Sequence, residues 1–117
     1  MNILVIDDEI QVAQVLADAV RQQGHEVNVA HDGEEGLVLV SRGLPDAVFL
    51  DVRLVGLSGI EVLRRIRRID PALPVILITG HAVGAEFDEA RRLGVVDIIE
   101  KPFILKQLSD ALGALQE

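Results

Sequence analysis

At 117 residues the chain is the size of one domain, long enough to bury roughly two-thirds of its unfolded surface, so neither disulfides nor a structural metal are required for stability, and there is no Cys. Half of the residues are hydrophobic but only 3% are aromatic, which predicts an aliphatic core of Val, Ile and Leu. A net charge of −8 argues against affinity for nucleic-acid phosphates or an anionic membrane surface, and no apolar run approaches the ~18 residues of a membrane span; together with the absence of a basic leader this reads as a soluble, cytoplasmic protein.

In chain order, short apolar runs alternate with helical patterns about every twenty residues, the mark of βα units. The first strand, residues 3–6, stops at Asp7-Asp8-Glu9. Asp8 with Gln11 reads as a capping box, and Val12, Val15, Leu16, Ala19 and Val20 follow at helical spacing until Gly24. The second strand spans 26–30, and Asp32 with Glu35 caps a helix that ends near Gly43. The third strand, from Ala47, is hydrophobic until it meets Asp51, as expected of a strand buried on both faces. Ser58 with Glu61 opens a helix whose apolar face is Val62, Leu63, Ile66 and Ile69; it stops before Asp70-Pro71, because a residue preceding proline disfavours helical geometry. The fourth strand, 75–78, ends at Thr79-Gly80. The helix after it has only Phe87, Ala90 and Leu93 as an apolar stripe, so it is expected to be the least firmly docked. A fifth strand, 97–99, runs into Glu100-Lys101-Pro102, and the last helix carries Leu105, Leu108, Leu112 and Leu115.

This is a (βα)5 pattern in a single domain, residues 1–117, and right-handed crossovers place helices on both faces of a parallel sheet. Ligands of such sheets bind at the carboxyl ends of the strands, where Asp7, Asp8, Asp51, Thr79 and Lys101 would gather. Carboxylates ~5 Å apart repel by roughly 3 kcal/mol per pair at an effective dielectric of 20. A hard cation would offset this, and Mg2+ suits a site with few protein ligands and retained waters. Three carboxylates and one ammonium carry a charge of about −2, which Mg2+ brings near zero, leaving the site able to accept a phosphoryl group. An Asp can be the nucleophile, Mg2+ and Lys101 can neutralise developing oxygen charge, and the Thr79 hydroxyl can bond the product oxygens.

At these residues the chain resembles the response-regulator receiver domains of two-component signalling. The resemblance rests on Asp7-Asp8, Asp51, Thr79-Gly80 and Lys101-Pro102-Phe103 in order, with Gly59 eight positions past Asp51, and covers essentially the whole chain. It implies a flavodoxin-like, doubly wound sheet of strand order 2-1-3-4-5. It also implies a Mg2+-dependent transfer of a phosphoryl group from a sensor histidine kinase onto Asp51, assisted by Thr79 and Lys101. The implied metal ligands are Asp8, Asp51 and the backbone carbonyl of Arg53, with Asp7 acting mostly through water, and a cis bond is implied between Lys101 and Pro102. Such a domain is a signalling switch that catalyses its own phosphorylation and slow dephosphorylation. Its fourth helix, fifth strand and fifth helix would meet an output domain, a partner protein or a second copy, as in transcription regulators.

Two positions depart from the family pattern. Val55 stands four residues past Asp51, where the family often has proline, so this loop is less rigidly preset. Ile98 stands where the family usually has Tyr or Phe as a rotamer switch, so coupling is expected to run through the loop after Thr79 and the helix carrying Phe87.

Blander readings exist for several residues. The Arg64-Arg65-Ile66-Arg67-Arg68 run is most simply the solvated face of a helix; His81 reads as an exposed loop residue, and His25 and His31 have no ligating partners in sequence. A haloacid-dehalogenase-type phosphatase also uses strand-tip carboxylates and Mg2+, but its Asp-x-Asp motif and cap insertion are missing. A receiver that only binds a partner would have lost Asp51, Thr79 or Lys101. A flavin-binding flavodoxin needs a phosphate-cradling loop where this chain is acidic.

Overall fold

The computed structural model describes residues 1–80, 84–101 and 105–115. In chain order the elements are β1 (Asn2–Ile6), α1 (Ile10–Gln22), β2 (Glu26–Ala30), α2 (Gly33–Ser41), β3 (Ala47–Asp51), α3 (Gly59–Ile69), β4 (Val75–Thr79), α4 (Ala85–Arg92), β5 (Asp97–Glu100) and α5 (Leu105–Leu115). All strand pairs are parallel and the sheet order is β2-β1-β3-β4-β5. This is the flavodoxin-like topology, with β1 and β3 neighbours at the point where the winding reverses. Pairing carries β3 and β4 one residue past their purely apolar runs, so Asp51 and Thr79 belong to the sheet itself.

Strand alternation sorts the core into two layers. Leu4, Ile6, Val48, Leu50, Val75 and Leu77 pack with α2, α3 and α4. Ile3, Val5, Ala47, Phe49, Ile76, Ile78 and Ile99 pack with α1 and α5. Every residue of β3 and β4 is buried, as a central parallel strand covered on both faces requires.

Local signals set most helix ends. Asp32 accepts from the Glu35 N–H at 2.7 Å, and Ser58 accepts from the Glu61 N–H at 3.3 Å. Gly24 and Gly43 follow α1 and α2 with φ of 91° and 69°, a left-handed conformation that glycine adopts without strain.

Four sequence expectations need correction. Asp8 does not cap α1: the N-cap is Glu9 without a side-chain bond, and the Asp8 carboxylate reaches instead to the loop after β3. The buried face of α1 is Ala13, Leu16, Ala17, Ala19 and Val20, with Val15 62% exposed, because the small alanines let the helix approach the sheet. Ile69 is likewise exposed at the end of α3, and Ile60 is buried in its place.

The arginine run on α3 is not a uniformly solvated face. Arg67 donates to the carbonyls of Leu93 at 2.5 Å, Leu73 at 2.6 Å, and Asp70 and Gly94 at 3.3 Å each. It thereby satisfies the carboxyl end of α4 and the turn before β4, and burial lowers its pKa from the ordinary guanidinium value. Arg64 forks onto Glu89 of α4, with Nη2 2.7 Å from Oε1, and also meets Glu61. Hydrogen bonds from Arg64 hold the Glu61 and Glu89 carboxyls below their usual range. α4, which buries only Phe87 and Ala90 in the core, is thus tied to α3 by two arginines.

Candidate functional site

The site lies at the carboxyl ends of β1, β3 and β5. Register pairs Ile6 with Leu50, Asp51 with Ile78, and Thr79 with Glu100. Asp7 and Lys101, one residue beyond β1 and β5, therefore share strand parity with Asp51, whereas Thr79 follows the alternation of Val75 and Leu77. Parallel pairing extends past the strands through the Lys101 N–H to the Thr79 carbonyl at 2.7 Å and the Val52 N–H to the Ile78 carbonyl at 3.0 Å.

Asp7 and Asp51 are almost completely buried and are held by the same local device. Oδ1 of Asp7 accepts from the Glu9 N–H at 2.9 Å, and Oδ1 of Asp51 accepts from the Arg53 N–H at 3.0 Å. These Asx turns fix each carboxylate two residues before its loop leaves the sheet. The Lys101 ammonium lies between them, 3.4 Å from Oδ2 of Asp51 and 3.6 Å from Oδ2 of Asp7, with Glu9 also at 3.6 Å. Asp8 enters from the β1–α1 loop, with its Oδ2 accepting from the Val55 N–H at 2.9 Å.

Charge is unbalanced here. Oδ2 of Asp7 is buried without a hydrogen-bond partner among the described residues, and Lys101 is too distant to supply one. Burial raises the Asp7 pKa from 3.8 to about 6; the Glu9 N–H and Lys101 oppose the rise and the Asp51 carboxylate adds to it. Burial acts against the Lys101 ammonium, but Asp51, Asp7 and Glu9 outweigh it and raise its pKa.

Asp7, Asp8 and Asp51 each offer a ligand oxygen, all within 4.8 Å of one another. An orphaned buried oxygen and three convergent hard donors fit a small divalent cation that keeps waters. Thr79 ends β4 one residue past the partner of Asp51 and is fully buried. Behind the site, Gly59 packs so closely that an added Cβ would lie 2.4 Å from the Asp51 carbonyl oxygen and 2.6 Å from Val52 Cα.

The structure thus brings together Asp7, Asp8, Asp51 and Lys101, as their sequence positions predict. It adds Glu9 and the Val55 N–H. Glu9 was legible as the third acid of the Asp7-Asp8-Glu9 run, but nothing local to Val55 signals its bond. Arg53, two residues past Asp51, turns its guanidinium to Glu86 of α4 at 3.5 Å. Ile98 is half-buried and packs with Leu93 and Val95 against the α3–α4 layer. His31 donates from Nδ1 to the Asp7 carbonyl at 3.3 Å, since a carbonyl can only accept. The expectations for His81, Phe103 and the Lys101–Pro102 bond lie outside the described residues.

A family model described as response regulator receiver domain matches residues 3–113. The response regulator MprA of Mycobacterium avium is 36% identical over 115 residues, covering 98% of this chain and 50% of that protein. The uncharacterized transcriptional regulatory protein YkoG of Bacillus subtilis is 39% identical over 107 residues, covering 92% of this chain and 47% of that protein. The chain therefore spans about half the length of the curated relatives it matches. The crystal structure of the receiver domain of NtrX from Brucella abortus superposes with a TM-score of 0.88 at 37% identity, covering 97% of this chain and 98% of that one. A CheY-like receiver domain protein of Methanospirillum hungatei, 23% identical, shares the fold at a TM-score of 0.92, covering 98% of this chain and 93% of that one.

Proposed function

The chain belongs to the response regulator receiver domains, and from that premise we propose that residues 1–117 form one receiver unit that accepts a phosphoryl group on Asp51. Domains of this family are signalling switches of two-component systems, pairing with histidine kinases and output domains. The observation that carries the reading is the Lys101 ammonium held between the buried carboxylates of Asp51 and Asp7, beside a buried oxygen without a hydrogen-bond partner among the described residues.

Asp51 is the nucleophile. Its carboxylate oxygen attacks the phosphorus of the kinase's phosphohistidine, the P–N bond breaks, the imidazole leaves with the electron pair, and an acyl phosphate forms. The Arg53 N–H fixes the carboxylate for attack. Lys101 neutralises charge on the transferring oxygens, and the Thr79 hydroxyl bonds them in the product. Asp7, Asp8 and Asp51, each with a ligand oxygen at the site, would hold Mg2+ together with the Arg53 carbonyl. When bound, Mg2+ supplies a Lewis acid that offsets phosphoryl charge. The phosphoryl group is later released slowly by hydrolysis.

The partners are a sensor histidine kinase and an output domain, partner protein or second copy that meets the face of α4, β5 and α5. A cytoplasmic placement is part of the proposal; among the described residues no helix is long and apolar enough to cross a membrane. Incubation with radiolabelled acetyl phosphate tests the proposal. Wild-type protein with Mg2+ takes up hydroxylamine-labile label, and chelation or Asp51→Asn abolishes it. Equal label in Asp51→Asn overturns the assignment.

A further inference from the structure

We infer that the backbone N–H of Val55 is a positioning group for the Asp8 carboxylate in the cation site, an inference that rests on the Mg2+ reading above. The Val55 side chain is 83% exposed, so it adds nothing to the core. What the residue contributes is its amide, which donates to Asp8 Oδ2 at 2.9 Å across 47 residues of sequence. A proline, frequent at this position in the family, has no N–H and could not make this bond.

The bond completes a pattern. Each of the three candidate metal-binding acids has one oxygen held by a backbone donor: Asp7 by Glu9, Asp51 by Arg53, and Asp8 by Val55. The first two donors are local and come with the strand tip. Asp8 has no such local turn, since its carboxylate has left the helix start, and the loop after β3 supplies the donor instead. With all three side chains so fixed, their ligand oxygens lie within 4.8 Å of one another, an arrangement three like charges resist unless something holds them. A carboxylate oxygen has more than one lone-pair direction, so accepting from Val55 leaves Asp8 able to ligate. Hydrogen bonds to ligating carboxylates set ligand orientation, and losing such a partner typically lowers metal affinity by about 10–100-fold.

The test uses the full chain and Mg2+ alone, without any phosphoryl donor. Calorimetric titration should show Val55→Pro binding Mg2+ about tenfold more weakly than wild type, whereas Val55→Ala, which keeps the N–H, binds as wild type does. In wild-type protein the Val55 amide should be protected from hydrogen exchange both without metal and at saturating Mg2+. Equal or tighter binding by Val55→Pro overturns the inference, as does loss of Val55 protection on Mg2+ addition, which would make the bond a competitor of the metal. If Val55→Pro does not fold, the wild-type exchange measurement decides. A wild-type chain that binds Mg2+ and loses label only in Asp51→Asn, yet is indifferent to Val55→Pro, sinks this inference alone; failure of wild type to bind Mg2+ sinks both.

Discussion

Arg53 Nη2 lies 3.5 Å from Glu86 Oε1, so the residue two beyond Asp51 reaches the first turn of α4. A new phosphoryl group on Asp51 would compete with Glu86 for this guanidinium, because it carries more negative charge than one carboxylate and offers three acceptor oxygens. Ile98 cannot make the swing of an aromatic side chain, which leaves α4 as the element that phosphate biases. Backbone amide shifts with and without beryllofluoride should therefore change over residues 84–93, and Glu86→Gln should alter that response. Changes confined to α1 and α2 would rule this route out.

Asp8 and Asp7 should differ as metal ligands. Asp8→Ala is expected to lower Mg2+ affinity more than Asp7→Ala, if Asp8 is the direct ligand and Asp7 acts mostly through water, as proposed. A metal titration of the two variants in which the effects are equal, or reversed, counts against this ligand set.

The raised Asp7 pKa gives stability a definite pH dependence without metal. The folded state holds the Asp7 proton to about pH 6 and the unfolded chain releases it near 3.8, so the folded state binds more protons between these values. Stability from Asp7 is thus fully present below pH 3.8 and is lost as pH rises to 6. Asp7→Asn should stabilise the metal-free protein by about 1–3 kcal/mol at pH 7.5, with the difference vanishing toward pH 4. Urea unfolding of both proteins at the two pH values measures it; a difference independent of pH would contradict the proposed protonation.

Arg67→Ala should cost about 2–3 kcal/mol of stability, because it leaves carbonyls of Leu73 and Leu93 without their donor. Arg67→Lys should recover only part of this, since one ammonium cannot span carbonyls on two separate segments. The urea midpoint gives the answer, and a midpoint unchanged in Arg67→Ala would show the contacts to be unimportant.

Most strand tips were legible locally. β1, β3, β4 and β5 each pass from an apolar run to polar residues, with Asp7, Asp51 and Thr79 at that transition and Lys101 one residue past it. Parallel pairing then leaves little freedom in where their ends fall. The caps at Asp32 and Ser58 were legible for the same reason, since donor and acceptor lie three residues apart. Where local pattern allowed two outcomes, tertiary contact chose. Asp8 could cap α1 or reach Val55, 47 residues on, and it takes the second. Arg64 and Arg67 could have remained in solvent, but α4 brings Glu89 and the Leu93 carbonyl to them from 25 and 26 residues away. Periodicity tells which residues share a face. It does not tell what lies across from that face, because that depends on how separate βα units dock, and the contacts of Asp8, Arg67 and Val55 are decided only there.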